Sequence, residues 1–333
     1  MRLAIIIFML IVPFLDASLR KIITIMCTIA WFIYTIYYCI ILLNKKDKTI
    51  STKEIINNIP NETLPEYVRY FYKKKIDNKV FISIVFDMIR NNYITLVKEE
   101  DDYYFVNVEN EEVFLTKSEE VVKKILFREI GNSESVSLNR ILNASKKNCA
   151  YLYNEIQIFK STFENECAKE KYFKSNKNIF NNSLFYLVFS LILSFYNLFF
   201  ASNVYVFIII FILTSIISIV INNFKNIEND RLNEYENWLK FRNYIINKDL
   251  SSLSVDSLEK YTLYSYVLDC YKEFKSSVLI KYYEDKECYK DSLMLRMVSI
   301  DIFEEIEKKL NSSLNNIKFN TILLFKKNRG RRN

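Results

Sequence analysis

The feature that most constrains this sequence is a long stretch without a charged side chain, positions 178–224, which lies between Lys177 and Lys225. A membrane-spanning helix needs about 20 apolar residues, so these 47 positions are too many for one crossing and enough for two. Small and polar residues at 201–203 provide a turn between them. We therefore predict a transmembrane helical hairpin over residues 179–222.

Polar residues recur along one side of each helix of this hairpin. In the first helix Ser190, Ser194 and Asn197 are spaced by four and three positions, and in the second Thr214 and Ser218 are spaced by four. Hydroxyl and amide side chains support close packing and hydrogen bonds between membrane helices. We expect the two polar stripes to face each other.

Two further apolar runs lie in an N-terminal membrane segment, residues 1–44. The first, residues 3–15, is typical of an uncleaved anchor or of a signal peptide. We favour the anchor because Leu15 stands where signal cleavage prefers a small residue. The second, residues 22–43, carries no charge and is long enough for a transmembrane helix.

Basic residues follow that second run and predict the topology. Lys45, Lys46 and Lys48 come directly after it, and such positive flanks stay in the cytosol. Both alternatives for the first apolar run then give the same result. We expect a multi-pass protein of the cell membrane with residues 44–178 and 223–333 in the cytosol.

The composition favours a mainly α-helical fold. The chain has two glycines and three prolines, and the last proline is Pro65, so proline interrupts no later helix. The net charge of +7 is spread over several segments and does not by itself indicate a nucleic-acid-binding protein. Only a small amount of sheet is expected.

The sequence holds no group of residues that indicates catalysis. It has no histidine, and its six cysteines form no C-x-x-C pair, which argues against a His-based triad, a zinc site or a disulfide framework. Acidic pairs such as Asp101-Asp102 and Glu304-Glu305 are interpreted as solvated turn and helix faces. We predict no enzymatic activity, no cofactor, and no catalytic, cofactor-binding or metal-binding residues.

The first polar segment, residues 45–115, has the pattern of a winged-helix-like unit. Apolar residues recur at helical spacing over 80–89, and Asn92 is suited to the left-handed position that ends such a helix. Residues 93–97 and 104–108 then alternate like two strands of a wing. We predict two helices followed by a two-stranded wing.

A second winged-helix-like unit and a long helix are predicted over residues 116–178. Thr116 and Glu119 have the spacing of a capping box, and Gly131 ends the helix that they begin. A short helix follows near residue 136. An amphipathic helix over 148–173 then leads to the membrane hairpin.

The C-terminal cytosolic region, residues 223–325, is predicted to be helical. Helices are expected over 224–247, over 257–275 and from Ile302 onward. Trp238 in the first of these is either a stacking surface for a ligand or a core residue, and its helical spacing with other aromatic residues favours the core. A basic tail, residues 326–333, ends the chain.

Several of these stretches carry a resemblance to a known family. They include the sequence Met-Ile-Arg-Asn-Asn-Tyr-Ile at 88–94 and the Trp-x-x-Phe-Arg motif within 237–244, and further matching stretches lie at 45–47, 59–94, 115–127 and 258–261. Over roughly residues 20–275 the chain resembles the YciQ-like predicted membrane proteins of bacteria, a family of unknown function. The resemblance implies tandem winged-helix-like cytosolic units and a membrane hairpin. Members usually have a large extracellular domain before the run at 22–43, and we expect most of it to be absent.

These observations lead to one functional hypothesis and two alternatives. The chain is interpreted as a membrane-anchored cytosolic interaction or regulatory module. The alternatives are a membrane-tethered DNA-binding regulator and an accessory subunit of a membrane transport or assembly complex. Residues 95–120 hold nine acidic residues and two lysines, and this charge opposes DNA binding.

The expected partners follow from the same hypothesis. They are the lipid bilayer and one or more proteins on the cytosolic side, and we predict no DNA partner for residues 51–175. The basic tail is either a disordered solubilising end or a contact with anionic lipid. Its basic residues are Lys326, Lys327, Arg329, Arg331 and Arg332.

Overall fold

The computed structural model describes most of the chain and divides it into two compact units. The described residues are 14, 16–44, 56–100, 102–108, 114–173, 177–199, 204–222, 227–247, 250, 253–284, 286–287 and 292–330. The first unit comprises Met1–Ser51 and Phe173–Ile227, and the second comprises Thr52–Tyr172 and Glu228–Asn333. Each unit is described by itself below.

The described part of the chain is mainly helical. Up to the second apolar region its elements are α1 (Ala17–Asn44), α2 (Pro65–Lys73), α3 (Asn78–Arg90), β1 (Ile94–Glu99), β2 (Asp102–Asn107), α4 (Lys117–Lys123), β3 (Ser135–Ser137), α5 (Leu138–Lys147) and α6 (Cys149–Lys169). The remaining elements are α7 (Lys177–Phe199), α8 (Val204–Asn222), α9 (Leu232–Asn247), α10 (Val255–Val267), α11 (Tyr271–Glu284), α12 (Leu293–Ser299) and α13 (Ile302–Gly330).

The first unit contains α1, α7 and α8. Helix α7 packs against α8, as the long uncharged stretch predicts, and also against α1. Trp31, Leu193 and Ile210, one from each helix, form its buried core. The turn at 201–203 lies outside the described residues, as does the run at 3–15 apart from Phe14.

One segment among the described residues, Ala17–Tyr37, is long and apolar enough to cross a membrane. The helices of the hairpin contain shorter apolar segments, Leu187–Phe199 and Val204–Ile216. The composition therefore supports one candidate span directly.

The polar stripe of α7 is shared between two neighbouring helices. Trp31 Nε1 donates a 2.8 Å hydrogen bond to Ser190 Oγ, and Asn197 Nδ2 donates a 2.9 Å hydrogen bond to Thr28 Oγ1, so both bonds join α7 to α1. Ser190, Ser194 and Thr214 also line one cavity of about 330 Å³. Thr214 thus lies at the same cavity as the stripe of α7, in line with the prediction, whereas the side chain of Ser218 lies outside the described residues. The bonds of the α7 stripe to α1 were not predicted from the sequence.

The second unit begins with helix boundaries that the sequence specifies locally. Asp77 caps α3 by accepting a hydrogen bond from the backbone of Lys79, and Asn92 adopts φ of 57° just after this helix, as predicted. The predicted capping box is also present, because Thr116 and Glu119 bond to each other's backbone at the start of α4.

The sheet differs from the predicted tandem wings. Strand β1 pairs with β2, and β2 pairs on its other side with β3, all antiparallel. Leu96 and Val136 therefore stand on either side of Phe105 in one three-stranded sheet. Two separate winged-helix-like units are not supported in the described residues, since the second one contributes a strand to the first one's wing.

Gly131 makes this pairing possible. Helix α4 continues as a π-helix over Lys124–Ile130 and ends at Gly131, as predicted. A Cβ atom at Gly131 would lie 2.6 Å from the carbonyl oxygen of Ser135, closer than such atoms can approach. The glycine is therefore required for β3 to return beside the helix end.

The helices that follow α8 in the sequence and belong to the second unit pack onto those that precede α7. Helix α10 contacts α2 and α3, and α13 contacts α5, α6 and α3. The single helix predicted over 257–275 is wrong in one respect. Helix α10 ends at Val267 and α11 begins at Tyr271, and Asp269 between them has φ of 56°. Helix α12 was not predicted.

Candidate functional site

A short segment before α2 is tied to α10 by two tyrosines. We call residues 56–64 the strap. Tyr261 Oη donates a 2.8 Å hydrogen bond to the carbonyl oxygen of Asn57, and Tyr264 Oη donates a 2.9 Å bond to that of Thr63. Because both tyrosines lie on one face of α10, three residues apart, they hold the strap along that helix. The strap also contacts α9, where Asn61 Nδ2 donates a 2.8 Å hydrogen bond to the carboxylate of Glu234.

A groove of about 520 Å³ opens between the strap, the C-terminal end of α3 and helix α10. It combines tyrosine rings, asparagine amides and charges of both signs. The residues that line it are Asn58, Ile59, Asn61, Glu62, Leu64, Pro65, Arg90, Asp256, Ser257, Lys260, Tyr261, Leu263 and Tyr264. A volume of this size and a mixed lining are typical of sites that receive a ligand or a peptide segment.

The cations of the groove are already paired. Arg90 Nε and Nη2 both lie 3.0 Å from Asp87 Oδ1, and Lys260 Nζ lies 3.2 Å from Asp256 Oδ2. Asp87 is buried, and burial raises its pKa even though Arg90 opposes the shift. The burial of Tyr261 likewise raises its pKa to about 12, so its hydroxyl stays protonated and donates to the strap.

Behind the groove lies a buried carboxyl group without a hydrogen-bond partner in the described structure. Glu66, the second residue of α2, is 0% exposed, and both its carboxyl oxygens lack a partner. Burial raises its pKa well above the usual range, and the charges of Asp87, Glu119 and Glu166 raise it further. Both effects favour the neutral acid over the charged carboxylate at Glu66.

The neighbouring carboxylates are satisfied by local hydrogen bonds. Glu166 accepts from Ser118 Oγ at 2.5 Å and from the backbone N–H of Lys117 at 2.9 Å, at the start of α4. Glu119 accepts from the backbone of Thr116 at 2.7 Å within the capping box. Among the described residues of this group, Glu66 is thus the carboxyl that accepts no hydrogen bond from another residue.

A second charged cluster joins α2 and α3 to the junction of α10 and α11. Asp269 lies 2.9 Å from Arg69 Nη1, 2.6 Å from Lys73 Nζ and 2.7 Å from Lys79 Nζ. Burial opposes its ionisation, but hydrogen bonds from these three cations hold the pKa of Asp269 below its usual range. Arg69 also binds Asp77.

A cavity of about 320 Å³ adjoins this cluster. It is lined by Lys79, Tyr266, Asp269, Tyr271, Lys272, Glu273, Phe303, Glu304 and Glu307. Its floor is aromatic, since Phe303 stacks on Tyr271 at 4.7 Å between ring centroids. Within the described residues, no group of three or more Cys, Asp or Glu side chains is arranged to hold a metal ion.

The residues considered as candidates from the sequence have structural roles. Trp238 is buried and packs on Tyr264 and Phe241, with ring centroids 5.0 and 5.9 Å away, so it is a core residue. Asp102 is not a fully solvated turn residue, because 14% of its side chain is exposed and it accepts the backbone N–H of Asn139, in the first turn of α5, at 3.1 Å beside the N-cap Ser137. Asp101 lies outside the described residues.

Other charged residues of interest are also engaged. Glu304 binds Lys275 at 2.5 Å, and Glu305 lies 3.1 Å from Lys309. The backbone of Lys326, Lys327 and Arg329 is helical, because α13 continues to Gly330. Arg331 and Arg332 lie outside the described residues.

Comparison with protein families places the groove in a defined domain. A family model described as the predicted membrane protein (DUF2207) C-terminal domain matches residues 56–275, more than half of the chain. The chain belongs to the DUF2207 family. Searches of curated proteins and of solved structures found no match.

The matched span of the DUF2207 domain contains the whole strap, the groove and the charged cluster around Asp269, and it ends within α11. Helices α12 and α13 lie beyond it. The family description identifies a predicted membrane protein and assigns no activity, as expected for a membrane protein of unknown function, but it does not confirm the YciQ-like family name.

The strap, Glu66 and the Asp269 cluster were not predicted from the sequence. The strap and the Asp269 cluster depend on contacts between residues about 200 positions apart, such as Tyr264 with Thr63, and the carboxyl groups around Glu66 come from three separate helices. A local signal existed only for Asp269, since Asp is among the few residues that adopt positive φ with tolerable strain.

Proposed function

We propose that this DUF2207 protein is a multi-pass membrane protein that presents its second unit to the cytosol as an interaction or regulatory module. Membership of a predicted membrane protein family supports the membrane location. The apolar segment Ala17–Tyr37 and the uncharged positions 178–224 supply the proposed crossings. The lysines that follow α1 favour a cytosolic position for the polar unit.

The groove between the strap and α10 is the observation that carries the proposed interaction. It lies entirely within the family domain, and its walls are fixed by the hydrogen bonds of Tyr261 and Tyr264. A pre-formed groove binds a segment with a smaller entropy cost than a flexible surface would. Its tyrosines offer apolar area with a polar edge, a combination enriched at protein interfaces.

We propose that the groove binds without catalysing a reaction. The chain has no histidine, and the two basic groups at the groove are paired with Asp87 and Asp256. These pairs leave a surface of low net charge, which suits an uncharged or mixed peptide segment. The occupant is therefore proposed to be a protein on the cytosolic side.

The experiment uses the full chain in its native membrane, with a photoreactive amino acid at one of two positions. Asp256 lines the groove and is 74% exposed, while Lys147, the last residue of α5, is exposed and does not line it. We expect irradiation to give one protein adduct of defined mass from position 256 and none from position 147.

The variant Asn58→Trp provides the specificity control. Asn58 is exposed at the groove, so an indole there fills the groove while the bonds of the strap tyrosines remain. We expect it to reduce the adduct about tenfold, equivalent to a loss of about 1.4 kcal/mol of binding. Equal adducts from both positions, or none from position 256, would overturn the proposal. Crosslinked DNA would favour the tethered regulator, and a stoichiometric membrane complex would favour the accessory subunit.

A further inference from the structure

The apolar side chains of helix α13 are buried near its start and exposed near its end. Its first turns are core elements, with Phe303, Ile306 and Leu310 buried. Toward its end, four apolar side chains are exposed, although Thr321 among them is buried: Phe319, Ile322, Leu323 and Leu324 have 63%, 44%, 47% and 43% of their surface accessible. The helix therefore carries an apolar end that the second unit does not cover. We call these four residues the apolar end of α13.

The charge around this apolar end is of one sign. After Glu307 the chain contains no acidic residue, and it contains eight basic ones. Five of these, at 326, 327, 329, 331 and 332, follow the apolar end directly. Lys309 is paired with Glu305, but the six basic residues from Lys318 onward have no acidic residue among them in the sequence. The region therefore combines exposed apolar area with positive charge.

The helical spacing brings the two features together. Lys326 is seven residues after Phe319, and Arg329 is seven residues after Ile322, along a backbone that is helical to Gly330. Positions seven apart lie on the same side of an α-helix. The basic positions thus continue the side that carries the apolar end.

We propose that the apolar end of α13 and the basic residues after it form an interfacial anchor on an anionic lipid bilayer. Amphipathic helices with basic residues lie in the membrane surface, where apolar side chains enter the acyl boundary and cations bind acidic headgroups. The inference extends the proposed function, because it needs a bilayer near the second unit. It adds a contact made by a helix outside the family domain.

The charge argues for a bilayer rather than a second copy of the chain. Two copies paired through this region would bring the six basic residues from Lys318 onward in each copy together, with no acidic residue among them in the sequence, and would repel. An anionic lipid surface offers negative charge and apolar depth together, which matches both features of the helix end.

The test uses the full chain in lipid nanodiscs, in a cysteine-free background. A polarity-sensitive fluorophore is attached to Ile322→Cys or, as a matched control on the same helix, to Ser312→Cys, which is exposed and lies outside the apolar end. Discs contain either phosphatidylcholine alone or phosphatidylcholine mixed with phosphatidylglycerol. Nitroxide-labelled lipid reports whether the fluorophore is within the bilayer.

We expect the probe at 322 to shift to the blue and to be quenched in the anionic discs, and the probe at 312 to remain unquenched. Replacing Lys326, Lys327 and Arg329 with Glu should abolish the effect at 322. Equal emission from both probes in both lipids would overturn the anchor. A blue shift in detergent that grows with protein concentration would also overturn it, because it would indicate self-association.

The same preparation separates this inference from the proposed function. The groove adduct from position 256 does not depend on the end of α13, so it should persist in the Glu variant. Loss of the anchor with a retained adduct would refute the anchor alone. Loss of the adduct with retained quenching would refute the groove proposal alone.

Discussion

Arg69 Nη1 donates a 2.9 Å hydrogen bond to the backbone carbonyl oxygen of Val267, 198 positions later in the sequence. The same guanidinium binds Asp77 and Asp269, and only 5% of the Arg69 side chain is exposed. Helix α2 is thereby fixed to the end of α10. The polar segments before α7 and after α8 thus belong to one compact unit.

The first prediction is that Arg69→Ala strongly destabilises the second unit. The variant removes the charged hydrogen bonds to Asp77 and the bond to the Val267 carbonyl oxygen, while Asp269 keeps Lys73 and Lys79, so we expect a loss of about 2–3 kcal/mol of unfolding free energy. Unfolding in denaturant can be followed by the fluorescence of Trp238, with Trp31→Phe removing the only other tryptophan.

Lys260→Ala is the matched control for this prediction. Lys260 belongs to the exposed pair with Asp256, so its loss should cost less than about 1 kcal/mol. Similar losses from both variants would contradict the role of Arg69.

The second prediction concerns pH and Glu66. Its pKa is raised in the folded chain, whereas the unfolded chain ionises near the ordinary value of about 4.3. Unfolding above about pH 4.3 therefore releases a proton from Glu66. The stability that its raised pKa contributes is complete below about pH 4.3 and is lost as the pH rises toward the pKa of the folded protein. Glu66→Gln should raise the unfolding free energy at neutral pH and flatten its decline.

Denaturant titrations at a series of pH values measure this slope. Glu120→Gln is the control, since Glu120 is an exposed residue of α4, and it should leave the slope unchanged. An unchanged slope in Glu66→Gln would show that Glu66 is ionised in the folded protein.

The third prediction concerns the strap. Tyr264→Phe removes one hydrogen bond to the strap and keeps the ring, so it should cost about 1 kcal/mol and increase amide hydrogen exchange over residues 56–64. Tyr244→Phe alters another tyrosine of the aromatic cluster that does not bind the strap, and it should leave this exchange unchanged. Equal amide exchange over residues 56–64 in the two variants would contradict the role of Tyr264 in holding the strap.

The fourth prediction is that the full chain does not bind duplex DNA at physiological salt. The turn between β1 and β2 presents Glu99 and Glu100, and Asp102 accepts the backbone N–H of Asn139 in the first turn of α5. DNA binding needs Lys and Arg at the approaching surface. Fluorescence anisotropy in detergent measures this directly, and micromolar binding that weakens steeply with salt would contradict it. The segment 51–175 is unsuited to the test, because its helices pack on α10 and α13.

Local features of the fold were predictable because their causes lie within a few residues. The capping box at Thr116, the left-handed Asn92 and the end of α4 at Gly131 are examples. Hydrophobic periodicity also indicated most of the helices, and the uncharged stretch indicated that α7 and α8 pair.

The candidate site could not be predicted in the same way. Glu66 is buried because other helices pack against α2. From the sequence, an acidic residue in the first turn of a helix is expected to be exposed and to interact with the helix dipole. The pairing of β3 with β2 was missed because three residues carry too little alternation to be recognised as a strand.

The proposed function requires the groove to open on the cytosolic side of the membrane. Single cysteines at Tyr205 in α8, which is 81% exposed, and at Asp256 in the groove can be tested in a cysteine-free chain with a membrane-impermeant thiol reagent. The proposed topology predicts that Tyr205→Cys is labelled in intact cells and that Asp256→Cys is labelled only after the membrane is opened. Labelling of Asp256→Cys in intact cells would contradict the account.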